Sequence, residues 1–362
     1  MRRTPALIVG GGLAGAATAI GLARAGRPHL LIERSRETGD AICGGFLSWR
    51  TLETLAGLEI DPDTLNPQRV TRARIFAGNR RAEAALPHPA VSVSRHRLDT
   101  VLLAEAKRLG TPIERGVTVR EIDGTTVRLA DGATIATDAL FLASGKHDVR
   151  GMARPEEARG DDPTLGIRVR VTPSPALAQS LAGSIELHLF DRGYAGLAMQ
   201  EDGTANLCMA VHRSRLQAAG SPTQLLEALG REMPALGEWV ALIPPNASID
   251  AIANVPYGWR QRTGVDAVFR LGDQAGVIPS LAGEGMGIAL ASGVAASAAY
   301  AKGGSEAGVI WQADFARRLA RPIGIASIVR HIAESERATW LLPLLRPSLI
   351  QVIANATRMS QS

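Results

Sequence analysis

At 362 residues, with 46% hydrophobic and 21% charged side chains, the chain has ordinary globular composition and length for two domains or one large composite domain. Its 38 glycines follow no collagen-like period or tandem repeat, which excludes fibrous and repeat architectures. The net charge of +5 comes from arginines scattered rather than clustered with aromatics, so it suits anionic cofactors or a membrane surface better than nucleic acid.

The opening run MRRTPALIVGGG starts like a signal peptide, but its apolar part is short and breaks into glycines. Residues 5–35 predict strand, tight turn, helix, turn, strand. The apolar run Ala6–Val9 leads into Gly10-x-Gly12-x-x-Gly15, a helix spans Leu13 to Ala25 and stops at Gly26, and His29–Glu33 is the second strand. Gly10 permits the turn, Gly12 lets a pyrophosphate approach the backbone, and Gly15 lets the helix pack on the strand. Free N–H groups at the helix start, around Leu13 and Ala14, suit phosphates. Glu33, with Arg34 beside it, closes the strand as an acceptor for ribose hydroxyls. Together these make a dinucleotide-binding unit, which by itself does not separate FAD from NAD.

Residues 93–110 predict an amphipathic helix with Leu98, Val101, Leu102 and Leu109 on one face and Arg95 near its start. Short β pieces follow at 117–122, 126–129 and 134–135, then a strand within 136–151 that runs into a polar turn. Period-2 alternation at 71–76, 165–171, 184–190 and 204–211 predicts a mostly antiparallel sheet with one wet face. The expected division is a nucleotide domain of 1–67, 93–162 and 260–305, a substrate domain of 68–92 and 163–259, and a helical segment of 306–362. Another strand is expected at 267–273 and a helix from about 285; its small-residue stretch 287–301 suits packing on a sheet. No stretch reaches the ~20 apolar residues of a membrane span. The helical tail is expected to break at Pro322, Pro343 and Pro347. Its Leu, Ile, Trp and Arg fit either an amphipathic membrane-surface face or helices that cover the domain, the preferred reading. Two cysteines, Cys43 and Cys208, cannot form a disulfide framework and point to a reducing cytoplasm.

The Gly10–Gly15 motif with Glu33, the Ser94-Arg95-x-x-Leu98-Asp99 helix start and the Gly272-Asp273 turn together resemble FAD-dependent class A flavoprotein monooxygenases of the p-hydroxybenzoate hydroxylase fold, over nearly the whole chain. Cys43-Gly44-Gly45, Gly272–Gly276, Pro279, Gly283-Glu284-Gly285-Met286 and Ala291-Ser292-Gly293 resemble the geranylgeranyl reductase branch, which saturates prenyl double bonds. That branch's Tyr-x-Trp-x-Phe-Pro signature keeps Tyr194 but has Gly196, Ala198 and Met199 at its other positions. Ser144-Gly145 stands where class A enzymes have Asp-Gly, and the Trp-x-Trp-x-Ile-Pro signature of flavin halogenases is not found.

The resemblance implies an α/β fold: a Rossmann-type FAD-binding domain interleaved with a mostly antiparallel substrate sheet, plus C-terminal helices. It implies FAD as cofactor and NAD(P)H as reductant. The FAD residues it implies are Gly10, Gly12, Leu13, Ala14, Gly15, Glu33, Arg34, Cys43, Gly44, Arg95, Gly145, Gly272, Asp273, Pro279, Gly283, Gly285, Met286 and Gly287. Arg95 would neutralise phosphates, or be merely a solvated helix-start arginine. Asp273 would bind the ribityl hydroxyls, or cap a helix. The 283–287 backbone would present a helix N-terminus to the flavin. Phe46, Trp49, His188, Tyr194, Met199 and Met209 are pocket candidates, and Cys43, His147 and Tyr194 are candidates near the flavin. Cys43 equally suits a small buried side chain, and Lys146, Asp148 and Arg150 a charged surface cluster. No catalytic triad and no metal site is read.

The leading expectation is a monooxygenase that hydroxylates a lipophilic phenol, quinone or polyketide-like molecule with NAD(P)H and O2, through a flavin C4a-hydroperoxide. The alternatives are a reductase of C=C bonds in a prenyl or other lipid, and a flavin-binding redox sensor without turnover. The expected setting is cytoplasmic, with membrane-surface contact as an addition.

Overall fold

The computed structural model describes residues 2–344 and 346–359. One sheet is built from β1 (Arg2–Val9), β2 (Leu30–Glu33), β6 (Ile113–Arg115), β7 (Val119–Asp123), β8 (Thr126–Leu129), β9 (Thr134–Leu142) and β15 (Val268–Arg270). The other holds β3 (Phe46–Leu47), β4 (Arg69–Ala77), β5 (Arg80–Ser92), β10 (Thr164–Val171), β11 (Ser184–Phe190), β12 (Gly193–Met199), β13 (Ala205–His212) and β14 (Asp250–Val255).

In the first sheet the order is β6-β2-β1-β9-β8-β7. Strands β6, β2, β1 and β9 run parallel; β8 pairs antiparallel with the first half of β9 and β15 parallel with its second half. Ala6, Leu7, Ile8 and Val9 are all buried, the continuous apolar run expected of a parallel strand covered on both faces. Helix α1 (Leu13–Arg24) packs on this sheet, and α9 (Gly285–Gly303) packs on α1. A Cβ on Gly293 would lie 2.4 Å from the Ala14 carbonyl oxygen, and one on Gly21 2.1 Å from Ser297 Oγ. The small-residue stretch 287–301 therefore packs closely on a helix as well as reaching the sheet, because only glycine and alanine let two helix backbones approach so closely. Behind β9 and β15, Phe141 and Phe269 stack at 4.7 Å, with Tyr300 of α9 edge-on to Phe141.

The second sheet runs β14-β10-β13-β12-β11-β4-β5-β3 and is antiparallel apart from the β4–β11 pair. The short β3, inside the stretch 1–67 assigned above to the nucleotide domain, pairs with β5 in this second sheet. The wet face expected from alternation is absent from the middle of the sheet: β10, β12 and β13 are buried at nearly every position, and exposed positions are confined to β4, β5 and β14. On one side Leu225 and Leu229 of α7 (Pro222–Glu232) and Trp239 of α8 (Pro234–Val240) pack against Val169, Leu207 and Val211. The other side faces a cavity roofed by the C-terminal helices. Alternation marks which residues share a face, not what lies over that face.

Those C-terminal helices are α10 (Ala307–Ala333), α11 (Ala338–Leu341) and α12 (Pro347–Ala356). Pro347 opens α12 and Pro343 lies in a 3₁₀ turn, but Pro322 does not end a helix: α10 runs through it. The proline forfeits one backbone hydrogen bond, while Leu319, Pro322, Ile323 and Ala326 around it stay buried in the core, which offsets the loss. No helix among the described residues is long and apolar enough to cross a membrane.

Candidate active site

Two helix N-termini and the inner face of the second sheet enclose a cavity of about 620 Å³. Its first wall is the start of α1. Gly10 sits at φ +106°, and a Cβ there would lie 2.5 Å from the Ala143 carbonyl; a Cβ on Gly15 would lie 1.9 Å from the Gly10 carbonyl. Among the described residues no side chain caps α1, so first-turn N–H groups at Gly12, Leu13 and Ala14 border the cavity. Glu33 closes the turn from β2, with Oε2 accepting from Gly11 N–H at 2.6 Å and Oε1 from Ser35 N–H at 2.8 Å.

Arg95 opens α4 (Arg95–Arg108), which Ser94 caps through the Arg97 N–H at 3.0 Å. Nε and Nη2 of Arg95 reach both Asp99 oxygens at 2.9 and 2.8 Å. Burial alone would lower the guanidinium's pKa, but Asp99 more than offsets it and the net shift is upward. Nη2 also comes within 3.4 Å of the Cβ position of Gly12, which puts a fixed positive charge at the mouth of the first turn.

The second wall is the late glycine-rich stretch. Gly272 and Asp273 form a 3₁₀ turn after β15, and Gly272 N–H donates to Ser292 Oγ at 2.9 Å. Lys146 Nζ lies 3.3 Å from Asp273 Oδ2, and that carboxylate raises the lysine's pKa. Arg154 ties the two loops together, donating to the carbonyls of Lys146 at 2.6 Å and Asp273 at 3.0 Å. Gly283 is left-handed (φ +64°), and a Cβ there would meet the Phe46 ring at 2.8 Å. Glu284 precedes α9, whose uncapped start places Gly285 and Met286 on the cavity.

Beyond these termini the cavity is aliphatic, lined by Ile75, Ile185, Leu187 and Leu189 from the sheet and Leu342 and Ile350 from the tail. Three hydroxyls meet within it. Tyr257 donates to Ser280 Oγ at 2.7 Å, and Tyr194 shares the same oxygen. Burial pushes both phenols up, so both stay protonated near neutrality. Cys43 and Cys208 also line the cavity, and burial pushes the Cys208 thiol up to about 12.

Of the residues singled out from the sequence, the structure brings Gly12, Leu13, Ala14, Cys43, Gly44, Phe46, Arg95, Gly145, Tyr194, Met209, Gly272, Asp273, Gly283, Gly285 and Met286 to this one cavity. Gly10, Gly15, Pro279 and Gly287 stand behind it. Trp49 does not line it: the ring is buried at the start of α2 (Trp49–Gly57) beneath the Arg358 guanidinium, 5.0 Å away. His188 is fully buried behind the sheet, stacked on Phe76 at 4.7 Å and 3.2 Å from Glu186. Met199 packs toward the α7–α8 side. His147 is exposed and bonded to Arg34 at 2.8 Å, so it flanks the Glu33 end instead of the cavity. Partial desolvation of the ring and the Arg34 charge lower its pKa. The supposed surface cluster separates: Lys146 turns inward, Asp148 pairs with Arg154 at 2.8 Å, and Arg150 with Glu121 at 3.6 Å. Sequence reading missed Tyr257, Ser280, Arg358 and the inward role of Lys146. With 3 tyrosines in the whole chain, each one was a signal to weigh.

FAD fits these residues. The glycine turn has no room for a Cβ at Gly10 or Gly15, two helix N-termini lack side-chain caps, and the half-buried Arg95 reaches the first turn beside Gly12. Residues 3–160 match the FAD binding domain family. The chain is 34% identical over 130 residues to "Uncharacterized protein in nifH2 5'region" of Methanosarcina barkeri, covering 33% of this chain and 69% of that one. It is 26% identical over 335 residues to Protein FixC of Escherichia coli K12, covering 81% and 75%. It shares the fold of PqsL from Pseudomonas aeruginosa, described as "a probable FAD-dependent monooxygenase", at TM-score 0.74 and 16% identity over 95% of this chain and 100% of that one.

Proposed function

We propose that this FAD-dependent oxidoreductase, whose residues 3–160 match the FAD binding domain family, is an NAD(P)H-dependent monooxygenase of a lipophilic phenol, quinone or polyketide-like molecule. One observation carries the reading: an aliphatic chamber opens off the dinucleotide cradle and contains the Tyr194–Ser280–Tyr257 hydroxyls. Bound FAD would supply the redox chemistry, taking electrons from NAD(P)H and passing one oxygen atom of O2 to the substrate.

The chain's own residues do the rest. Arg95 and the first-turn N–H groups of α1 hold the phosphates, and Asp273, braced by Lys146, accepts the ribityl hydroxyls. The start of α9 places partial positive charge beside the ring system. Ile75, Leu187 and Ile350 exclude water. Ser280, accepting from Tyr257, donates to the Tyr194 oxygen, which leaves the Tyr194 proton for a carbonyl or phenol oxygen at the substrate's polar end.

Ile332, Leu341 and Leu349 both border the chamber and reach solvent. Beside them Trp340 is 73% exposed, with the Arg80 guanidinium 5.4 Å from its ring centre. This rim is the proposed entrance for a lipophilic substrate and a peripheral contact with a lipid surface. Co-sedimentation with anionic vesicles tests it: Trp340→Ser should weaken binding, and equal binding of both proteins would sink the idea.

A second reading, reduction of a C=C bond in a prenyl or other lipid, is favoured by the aliphatic lining and by Cys43 on its wall. One assay separates the two. Purified protein with NAD(P)H is given quinones, phenols and prenyl lipids, with and without O2. The monooxygenase reading expects product only with O2; equal product without it would favour the reductase.

A further inference from the structure

The tail reaches into the site through one side chain. Arg358, just beyond α12, donates from Nη1 to the Ala282 carbonyl and to Glu284 Oε2, the latter at 3.1 Å. The side chains of Arg358 and Glu284 are only 6% and 2% exposed. Glu284 also accepts from Ser48 Oγ at 2.9 Å and from the Met359 backbone N–H. The Arg358 guanidinium lies 5.0 Å from the Trp49 ring centre and 6.0 Å from that of Phe46. The cap of α2, the turn before α9 and the end of the chain thus converge on one carboxylate. Burial disfavours the charged form of both partners, raising the carboxyl and lowering the guanidinium, and the pair offsets part of that penalty for each.

We infer that the Glu284–Arg358 ion pair is a positioning latch that holds the Gly283–Gly287 turn against the cavity and balances the charge beneath the flavin-binding end, making the tail part of the cofactor site. The inference rests on the FAD reading. Gly283, Gly285, Met286 and Arg358 all line the cavity, and a charge in so dry a place acts strongly on electron density gained nearby. The two halves of the pair act with opposite sign. Loss of Arg358 leaves a carboxyl held only by Ser48 Oγ and the Met359 N–H, which opposes reduction at pH values where it stays ionised. Loss of the Glu284 charge leaves a cation that favours it. The Arg95–Asp99 and Lys146–Asp273 pairs on the same cavity stay constant in both cases.

The test uses the full-length FAD-loaded protein and measures the flavin midpoint potential by dye equilibration for Arg358→Met, Glu284→Gln and the double variant. The potential should fall in the first, rise in the second and return close to the parent's in the third. Shifts of the same sign, or no shift in either single variant, would overturn the latch. A thermal-melting cycle of the same variants without added FAD keeps the two readings apart. The double variant should be more stable than the sum of the single losses predicts, whether or not FAD binds; strictly additive losses would overturn the latch without touching the cofactor reading.

Discussion

The starts of α1 and α9 present the same chemistry to the cavity, an uncapped helix N-terminus reached through glycines, but they are held in opposite ways. The α1 turn is fixed largely by its own motif: Gly15 packs on Gly10 and Gly11 N–H donates to Glu33, while Arg95, pinned by Asp99 one turn along its own helix, reaches it from α4. The α9 start is fixed from far along the chain, by Ser48 at a separation of 236 residues and by Arg358 at 74. A site that closes within one motif can be read from a string; one closed by a tail cannot.

The largest expected effect would break the local wall. Arg95→Met leaves Asp99, 7% exposed, without its cation, and stability should fall by about 3 kcal/mol, the scale for a buried charge left unpaired. Urea denaturation checks it. Arg95→Met with Asp99→Leu should recover the stability while FAD affinity stays weak. Recovery of both would mean that Arg95 serves only the fold.

Gly15→Ala comes next. Its Cβ would lie 1.9 Å from the Gly10 carbonyl, so α1 must shift, at about 2 kcal/mol by the scale of overpacking. Loss of bound FAD, read as absorbance near 450 nm per chain, should accompany the lower melting point; retention of both would show that the turn is not the cradle.

Gly283→Ala probes the distant wall and should be milder, about 1–2 kcal/mol for a left-handed residue set against the Phe46 ring. Because the latch holds this turn on its other side, FAD should still bind, with a faster off-rate in stopped-flow fluorescence. An off-rate identical to the parent's would deny the α9 start a role.

The smallest effect contrasts two histidines. His212 is raised, chiefly by its hydrogen bond to Glu334 of the tail side. Its stabilisation is present below the ordinary histidine value and fades as pH rises through the higher folded value. His147, beside the Glu33 turn, is lowered by partial desolvation and by Arg34. Its slope is opposite: stability holds above the ordinary value and declines as pH falls toward the lower folded one. Melting curves against pH should lose the first slope in His212→Gln and the second in His147→Gln; unchanged profiles would contradict both assignments.

The sequence was most legible where the physics is short-range. The Gly10–Gly15 turn, the helix over 93–110 with Arg95 near its start, and the β11 strand at 184–190 all depend on neighbours a few residues away. Asp273 was legible as part of a turn, but its Lys146 brace was not, since that contact joins two loops on different strands of one sheet. His188 was placed on the wrong side because period-2 alternation carries no information about which face is roofed. Pro322 misled because propensity is local, whereas α10 is held by core packing on both sides of it. Arg358 gave no signal in a helical tail that also carries Arg330, Arg337 and Arg346.

The central claim is that the cavity between the two helix starts binds one FAD. Fluorescence titration of the purified, FAD-stripped protein with FAD tests it directly. The account predicts saturation at one FAD per chain, a yellow protein absorbing near 450 nm, and markedly weaker binding in the Arg95→Met, Asp99→Leu variant. A protein that stays colourless in excess FAD would contradict it.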